Sequence, residues 1–212
     1  MSGRRTLVLC GDCWHPAETV RRGLAALPAN GFEFEFSETG TAAAETLRNF
    51  SLVVLAKANL ISPTDRREWL TADSPGGFAD YVRRGNGLLI IHGGTSRYGG
   101  LPAMRALAGG AFLNHPPECD VTLEPQPAHE LARGVDAFTV CDEHYAMAFE
   151  GSPADVFLNS RSEHGVQPAG WTRSAGNGRV CVLTPGHNLA VWRHPSFQKL
   201  LLNTLRWTAK MS

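Results

Sequence analysis

Short apolar segments alternate with helix-like segments along the first half of the chain, and no other feature limits the possible folds as strongly. Residues 6–10, 52–55 and 88–91 are almost wholly apolar, whereas residues 32–36 alternate phenylalanine with glutamate. Between them, apolar side chains recur at helical spacing, over residues 17–27, 41–50 and 78–84. This order predicts an α/β fold, doubly wound, with a mainly parallel sheet and helices on both faces.

The composition of the apolar segments predicts where each strand lies in the sheet. Residues 7–9, 53–55 and 88–91 are apolar on both faces, so we expect interior strands there. The alternating segment 32–36 is typical of a half-exposed strand near a sheet edge. Ser62-Pro63-Thr64-Asp65 has an N-cap residue, a proline at the first helical position and a carboxylate at the third. A helix is therefore predicted to begin at Ser62.

The second half of the chain is less regular, and it predicts further strands and one long C-terminal helix. Asn177-Gly178 is a preferred turn pair, so a hairpin is predicted over residues 171–182. Residues 195–208 carry apolar side chains along one helical face. Short strands are also predicted at 121–123, 138–141 and 156–159.

Charge and composition exclude several classes of partner and location. Twenty Lys and Arg balance twenty Asp and Glu, so we expect no binding to nucleic acid or to an anionic membrane. No apolar run approaches the roughly 18 residues of a membrane span, and the N-terminal run is too short for a signal peptide. Five cysteines without a leader predict a cytoplasmic protein with free thiols. The length predicts one domain over residues 1–212.

Three histidines follow strand-like segments, which places them where ligands bind in open α/β sheets. His15 follows the first apolar segment by a short loop, His92 follows residues 88–91 directly, and His187 follows residues 180–184. Ligands in such sheets bind beyond the carboxyl ends of the strands. One interpretation is a shared pocket, and the other is that each ring only caps a strand end by bonding to backbone.

His92 has the most informative setting of the three. Ile91-His92-Gly93-Gly94 resembles a nucleophile elbow, in which a sharp turn after a strand exposes one side chain above the sheet. We expect the glycines to leave His92 uncovered, as the central functional residue. Histidine at this position suits acid–base chemistry or metal binding rather than covalent acyl transfer.

Polar residues elsewhere could complete the same pocket. Asp142 and Glu143 follow the strand predicted at 138–141, and in extended chain they point opposite ways. One would then act as a base and the other would pair with arginine or backbone N–H groups, although a solvated acidic turn is the alternative. The candidate substrate-binding residues are His15, His115, Tyr145 and Trp14, the last through its flat indole.

The residues indicate two further kinds of chemistry, metal binding and thiol redox chemistry. If His15, His92 and His187 converge, three nitrogens with an open fourth position would suit one divalent metal ion such as zinc. Cys10-Gly11-Asp12-Cys13 has the spacing of a redox dithiol. We expect Cys10 and Cys13 to be reduced and unbridged, because Cys10 belongs to the first strand.

The same residues resemble the ThuA-like (trehalose utilisation) family. The matching pieces are residues 85–93, 115–116, 142–145, 168–192 and 197–207. The resemblance implies a class I glutamine amidotransferase-like, flavodoxin-like fold and an enzyme acting on a disaccharide or keto-sugar. It also implies that the family's polar pocket residues correspond to His15, His92, Asp142, Glu143, Tyr145 and His187.

The hypothesis that follows is a sugar-metabolism enzyme that uses histidine and carboxylate acid–base chemistry, with or without a metal. Its predicted catalytic residues are His92, His187, Glu143 and Asp142. Its partner would be a small-molecule sugar, and association of like chains is left open. Glutaminase chemistry is excluded, since the elbow has His92 where a cysteine would be needed. The alternatives are a non-catalytic carbohydrate-binding or regulatory module, and a redox protein that uses Cys10 and Cys13.

Overall fold

The first half of the chain forms strands and helices in alternation. The computed structural model describes residues 3–28, 31–40, 44–71, 77–149 and 155–211. The elements in this half are β1 (Arg4–Cys10), α1 (Ala17–Ala25), β2 (Phe32–Ser37), α2 (Ala44–Leu47), β3 (Leu52–Ala56), α3 (Gly77–Arg83) and β4 (Gly87–Ile91). The alternation predicted from the sequence is confirmed.

The second half adds more strands than helices. Its elements are α4 (Pro102–Ala108), β5 (Gly110–Asn114), β6 (Cys119–Pro125), β7 (Phe138–Asp142), β8 (Ala146–Phe149), β9 (Val156–Ser162), β10 (Gly165–Ala175), β11 (Gly178–Leu183), α5 (Leu189–Arg193) and α6 (Pro195–Thr208). The predicted short strands and C-terminal helix are confirmed. The pair β5 and β8 and the short helix α5 were not predicted.

Nine strands form one mixed sheet, in the order β2-β1-β3-β4-β11-β10-β9-β6-β7. The first five are mutually parallel, and every pair from β11 to β7 is antiparallel. The prediction of a mainly parallel sheet is therefore correct for only one half of the nine-stranded sheet. The β9–β10 and β10–β11 pairs are hairpins, because antiparallel strands need only short connections, whereas β6 pairs with the more distant β9 and with β7. The flavodoxin-like detail stays a prediction.

Helices pack on both faces of the sheet, and the strand positions follow the sequence pattern. Val8 and Val54 pack with α1 and α6, while Leu7 and Val53, one residue earlier, pack with α3 and α4. β1, β3 and β4 are interior strands, as predicted, and the alternating strand β2 lies at the edge.

The helix predicted to begin at Ser62 is wrong. The described residues from 62 to 71 contain turns and bends instead. The Ser62 hydroxyl accepts hydrogen bonds from the N–H groups of Thr64 and Asp65, and the Asp65 carboxylate binds Arg67. Such local side-chain bonds favour turns over helix. The predicted helix at 41–50 is also shorter, since α2 ends at Leu47 and residues 41–43 lie outside the described residues.

The predicted hairpin exists, but its turn lies one residue earlier than expected. Ala175 pairs with Gly178, so Gly176 and Asn177 form the two-residue loop. Gly176 has φ of 59°, as glycine has at the first position of a type II′ turn. Gly178 is needed for packing, because a Cβ there would lie 2.0 Å from the carbonyl oxygen of Val82.

The carboxyl ends of β1, β4 and β11 lie at one edge of the sheet, since these strands are parallel. The loops that follow them carry His15, His92 and His187. Cys10 ends β1 and is buried, and Cys10 and Cys13 are both free thiols. Within the described residues, no helix combines the length and the apolar character that a membrane crossing needs.

Candidate active site

His92 is held in a sharp turn directly after β4. Its φ is 46°, a left-handed value that is uncommon outside glycine, and a 3₁₀ turn of residues 92–95 follows. The Nδ1–H group donates to the carbonyl oxygen of Thr184, 2.7 Å away. That bond leaves Nε2 to accept a hydrogen bond from the Tyr145 hydroxyl, 3.0 Å away. The predicted elbow geometry is present.

His92 is nevertheless covered, contrary to the expectation that its ring is open to the cleft. The residue is 2% exposed, and the Tyr145 ring stacks on its imidazole with centroids 4.2 Å apart. Burial lowers the pKa of His92, although the nearby Glu143 carboxylate opposes this shift. The glycines of the elbow admit neighbouring groups instead of solvent.

Gly93 and Gly94 make room for two such neighbours. A Cβ at Gly93 would lie 2.7 Å from Nδ1 of His15, and a Cβ at Gly94 would lie 2.0 Å from the carbonyl oxygen of Leu55. Real Cβ atoms do not approach so closely, so any side chain at either position would displace its neighbour.

We expect Gly94→Ala to lower the free energy of unfolding by about 2–3 kcal/mol, because the backbone of the interior strand β3 would have to move. Gly100→Ala is the matched control, since a Cβ at Gly100 meets no atom within 4 Å. Urea denaturation of both variants checks the difference. Equal stability of the two would contradict the close packing described for the elbow.

His15 is oriented by Asp12, a residue that the sequence interpretation did not assign to the site. Nδ1 of His15 lies 2.8 Å from Oδ2 of Asp12, so Nε2 is left free. Burial would raise the pKa of Asp12, but hydrogen bonds from His15 and from the N–H groups of Ala58 and Trp14 outweigh it. The pKa of Asp12 is therefore lowered, and the carboxylate stays ionised.

Asp142 positions the loop of His187 and does not face the cleft. It is fully buried and accepts hydrogen bonds from the N–H groups of Gly186 and His187, at 2.8 and 2.9 Å. Asp142 was predicted as a catalytic residue, but these contacts show that its carboxylate binds backbone N–H groups. Of the two adjacent carboxylates, Asp142 is therefore the one that pairs with the backbone. The sequence argument that only one of the two enters the pocket agrees with this arrangement.

Glu143 lies at the centre of the histidines. Its Oε2 is 3.2 Å from Nε2 of His92 and 3.3 Å from Nδ1 of His187, and its Oε1 is 3.4 Å from Nε2 of His115. Burial would raise the pKa of Glu143, but His187 and His92 outweigh it and hold the pKa well below its usual range. The carboxylate is therefore an anion surrounded by imidazoles.

The three strand-end histidines meet around this anion. Ring centroids are separated by 5.0 Å for His15 and His92, 5.6 Å for His15 and His187, and 5.5 Å for His92 and His187. One ligand atom from each of these residues and one from Glu143 all lie within 4.8 Å of one another. Nδ1 of His187 is buried and has no hydrogen-bond partner in the described structure.

A cavity of about 550 Å³ opens beside this group of residues. It is lined by Cys13, Trp14, His15, Ser96, Phe112, His115, Glu143, Tyr145 and His187. All the predicted substrate-binding residues therefore border one space. Trp14 is 45% exposed, whereas the Trp171 and Trp192 side chains belong to the core. The catalytic, binding and metal roles of these residues stay predictions.

Sequence reasoning missed Asp12, Phe112 and Ser96. Asp12 is adjacent to the strand-end loop, but it lies inside the Cys-x-x-Cys spacing and was considered only as part of that motif. Its spacing of three residues before His15 was the available signal. Phe112 lies on β5, a strand that was not predicted.

Comparison with known proteins identifies relatives of the whole chain. The family described as ThuA, trehalose utilisation, matches residues 9–208. Among curated proteins, none matches. A solved structure of a protein described as ThuA-like, from Parabacteroides merdae ATCC 43184, has a TM-score of 0.77 and 20% identity, and the match covers 98% of this chain and 90% of that one.

Two other solved structures share the fold. A cytoplasmic protein from Salmonella typhimurium LT2 has a TM-score of 0.72 and 15% identity, and the match covers 96% of this chain and 99% of that one. A β-galactosidase from Rahnella sp. R3 has a TM-score of 0.69 and 13% identity, over 99% of this chain and 32% of that one. At such identities the likeness concerns the fold alone.

Proposed function

The chain belongs to the ThuA family, described as trehalose utilisation, and on that premise we propose that it is an enzyme of sugar metabolism. We place its substrate, a disaccharide or a keto-sugar, in the cavity beside Glu143. Acid–base chemistry by histidine and carboxylate groups acts on the bound sugar. The net charge of the chain is zero, so it has no excess of basic residues to attract nucleic acid. This balance agrees with a neutral small-molecule substrate.

The position of Glu143 is the observation that carries this proposal. The carboxylate lies on the cavity wall, and its two oxygens have different surroundings. Oε2 lies 3.2 Å from Nε2 of His92 and 3.3 Å from Nδ1 of His187, whereas Oε1 faces His115. A cavity of about 550 Å³ lies within the usual range for small-molecule sites, roughly 300–1,000 Å³. A carboxylate that stays ionised at the wall of such a cavity is suited to accept a hydrogen bond from a substrate hydroxyl and to orient it.

His115 supplies a group that can exchange protons beside Glu143. Its Nδ1–H group donates to the carbonyl oxygen of Pro116 at 2.7 Å, so Nε2 is the nitrogen that faces Glu143. An imidazole with one nitrogen fixed by a hydrogen bond presents the other for proton transfer. We therefore assign proton exchange with the sugar to His115, while the ionised Glu143 carboxylate orients the reacting hydroxyl beside it.

Aromatic groups around the cavity provide the surface for the sugar. Trp14 offers a half-exposed indole at the cavity wall, and Phe112 contacts the Tyr145 ring at a centroid distance of 4.4 Å. Burial raises the pKa of Tyr145 well above its usual value, so its hydroxyl stays protonated and is a hydrogen-bond donor. Flat apolar rings beside polar tips suit the mixed surface of a sugar.

Glutaminase chemistry does not fit this site. A cysteine nucleophile would have to occupy the elbow, where the chain has His92. Cys10 lies inside β1, and its pKa is raised by burial to about 11, so its thiol is not a nucleophile near neutral pH.

The proposal is tested by a screen of disaccharides and their keto derivatives for binding and for product formation. We expect His115→Ala to bind the turned-over sugar with similar affinity and to convert it about 100-fold more slowly, the lower bound for a lost acid–base group. His164→Ala is the matched control, because His164 lies at the exposed β9–β10 turn beside Glu163.

Three outcomes decide the matter. Slower conversion by His115→Ala alone supports the proposal. Equal rates for both variants would contradict the role of His115. Sugar binding by the wild-type chain without any conversion would replace the enzyme by a carbohydrate-binding module.

A further inference from the structure

We propose that His15, His92, His187 and Glu143 bind one divalent cation of the zinc type at the wall of the cavity. This inference deepens the proposed function, since it concerns the same cavity, but it stands on separate observations. One ligand atom from each residue lies within 4.8 Å of the other three, which is a compact set for side chains from four different loops. The cluster also contains the atom types that zinc prefers, imidazole nitrogen and carboxylate oxygen.

The measured separations match those of ligands around a common ion. Ligands about 2.0–2.1 Å from zinc in a tetrahedron lie roughly 3.3–3.4 Å from one another. Oε2 of Glu143 is 3.2 Å from Nε2 of His92 and 3.3 Å from Nδ1 of His187. Two edges of the tetrahedron are therefore already present, and the ligand atom of His15 lies within 4.8 Å of the other three.

Each histidine has one nitrogen directed to the cluster and the other directed away. Nδ1 of His15 is bound by Asp12, and Nδ1 of His92 donates to Thr184, so Nε2 is the inward atom of both rings. In His187 the order is reversed: Nε2 lies 3.8 Å from Oε1 of Glu118, and Nδ1 is the inward atom. Carboxylates and carbonyls behind ligating histidines are typical of metal sites.

An unsatisfied atom supports the same assignment. Nδ1 of His187 is buried without a hydrogen bond, although it lies at ion-pair distance from Glu143. Buried polar atoms are nearly always paired, so an orphan calls for a partner. A cation shared with Glu143 supplies that partner. Three imidazoles favour zinc and similar transition metals, and they disfavour Mg²⁺, which prefers oxygen ligands.

Tyr145 is the one group that competes for a ligand atom. Its hydroxyl donates a hydrogen bond to Nε2 of His92, 3.0 Å away. The cation needs the lone pair of that same nitrogen. Cation binding therefore releases the hydroxyl, and Tyr145 already lines the cavity. The released group is positioned to donate to a sugar oxygen. Glu143 keeps Oε1 for His115, so the contact between these two residues survives cation binding.

The test is titration of the metal-stripped full chain with Zn²⁺, followed by calorimetry, with Mg²⁺ as the second probe. We expect one Zn²⁺ per chain and no comparable binding of Mg²⁺. His187→Ala and His15→Ala should each weaken Zn²⁺ binding at least about 100-fold, since even groups behind the ligands contribute 10–100-fold. His164→Ala should bind as the wild type does.

The Tyr145→Phe variant separates competition for the cation from a purely structural role of the Tyr145 hydroxyl. Removing the competing hydroxyl should leave Zn²⁺ affinity equal or higher, while sugar conversion falls. Because the ring and its stacking on His92 are kept, folding is conserved, and the thermal midpoint checks this.

Several results would overturn the inference: no stoichiometric Zn²⁺ binding by the wild type, equal affinity of the His164 and His187 variants, or weaker binding by Tyr145→Phe. The failure is distinguishable from that of the proposed function. If the chain converts a sugar but binds no Zn²⁺, only the metal-site proposal is contradicted. If the chain binds Zn²⁺ but no sugar, only the proposed function is contradicted.

Discussion

Glu143→Gln is expected to lower sugar conversion by about 10²–10³-fold, the usual cost of removing one preorganised electrostatic partner from a reacting group. Glutamine keeps the length and shape of the side chain, but it neither accepts a proton nor carries the negative charge that pairs with His92 and His187. Steady-state kinetics on the sugar identified by screening measures the effect. Sugar affinity should change far less than the rate.

The matched control for this experiment is Glu163→Gln. Glu163 has a side chain that is 78% exposed and lies beside His164, outside the cavity. Its replacement should leave conversion unchanged. A Glu143→Gln chain that works as fast as this control, with an unchanged thermal midpoint, would remove Glu143 from the reaction and with it the proposed mechanism.

Asp142→Ala is expected to lower the free energy of unfolding by about 2–4 kcal/mol, because two buried N–H groups lose their acceptor. The carboxylate is fully buried and binds the N–H groups of Gly186 and His187. Burial raises the pKa of Asp142, but the hydrogen bonds and the nearby His92 favour the ionised form. The loop that presents His187 should loosen as well.

Urea denaturation compares this variant with Asp136→Ala, which changes an exposed aspartate just before β7. The control should stay within about 0.5 kcal/mol of the wild type. A similarly small change for Asp142→Ala would mean that the Gly186–His187 loop is fixed by other contacts, which contradicts the positioning role given to Asp142.

Local composition was enough to predict the strand framework and the edge at which functional loops meet. Residues 88–91 are apolar on both faces, and β4 is an interior strand for that reason. The convergence of His15, His92 and His187 followed from parallel strands ending at one edge. These inferences depend only on patterns within a segment and on the rules of parallel sheets.

Features that depend on distant partners were not accessible from the sequence. The stacking of Tyr145 over His92 joins residues 53 positions apart, and it reverses the expected exposure of His92. The Ser62 segment has every local sign of a helix start, but its side-chain hydrogen bonds stabilise a turn. The antiparallel half of the sheet depends on pairings that no single segment encodes.

The proposed function requires that a sugar bind in the cavity with one oxygen at Glu143. The most direct measurement is a crystal structure of the slow Glu143→Gln chain soaked with the disaccharide or keto-sugar that the wild type converts. We predict a sugar in the cavity, with an oxygen within about 3.2 Å of the residue 143 side chain and of His115. A sugar bound only outside the cavity, or none at concentrations that saturate binding in solution, would contradict the account.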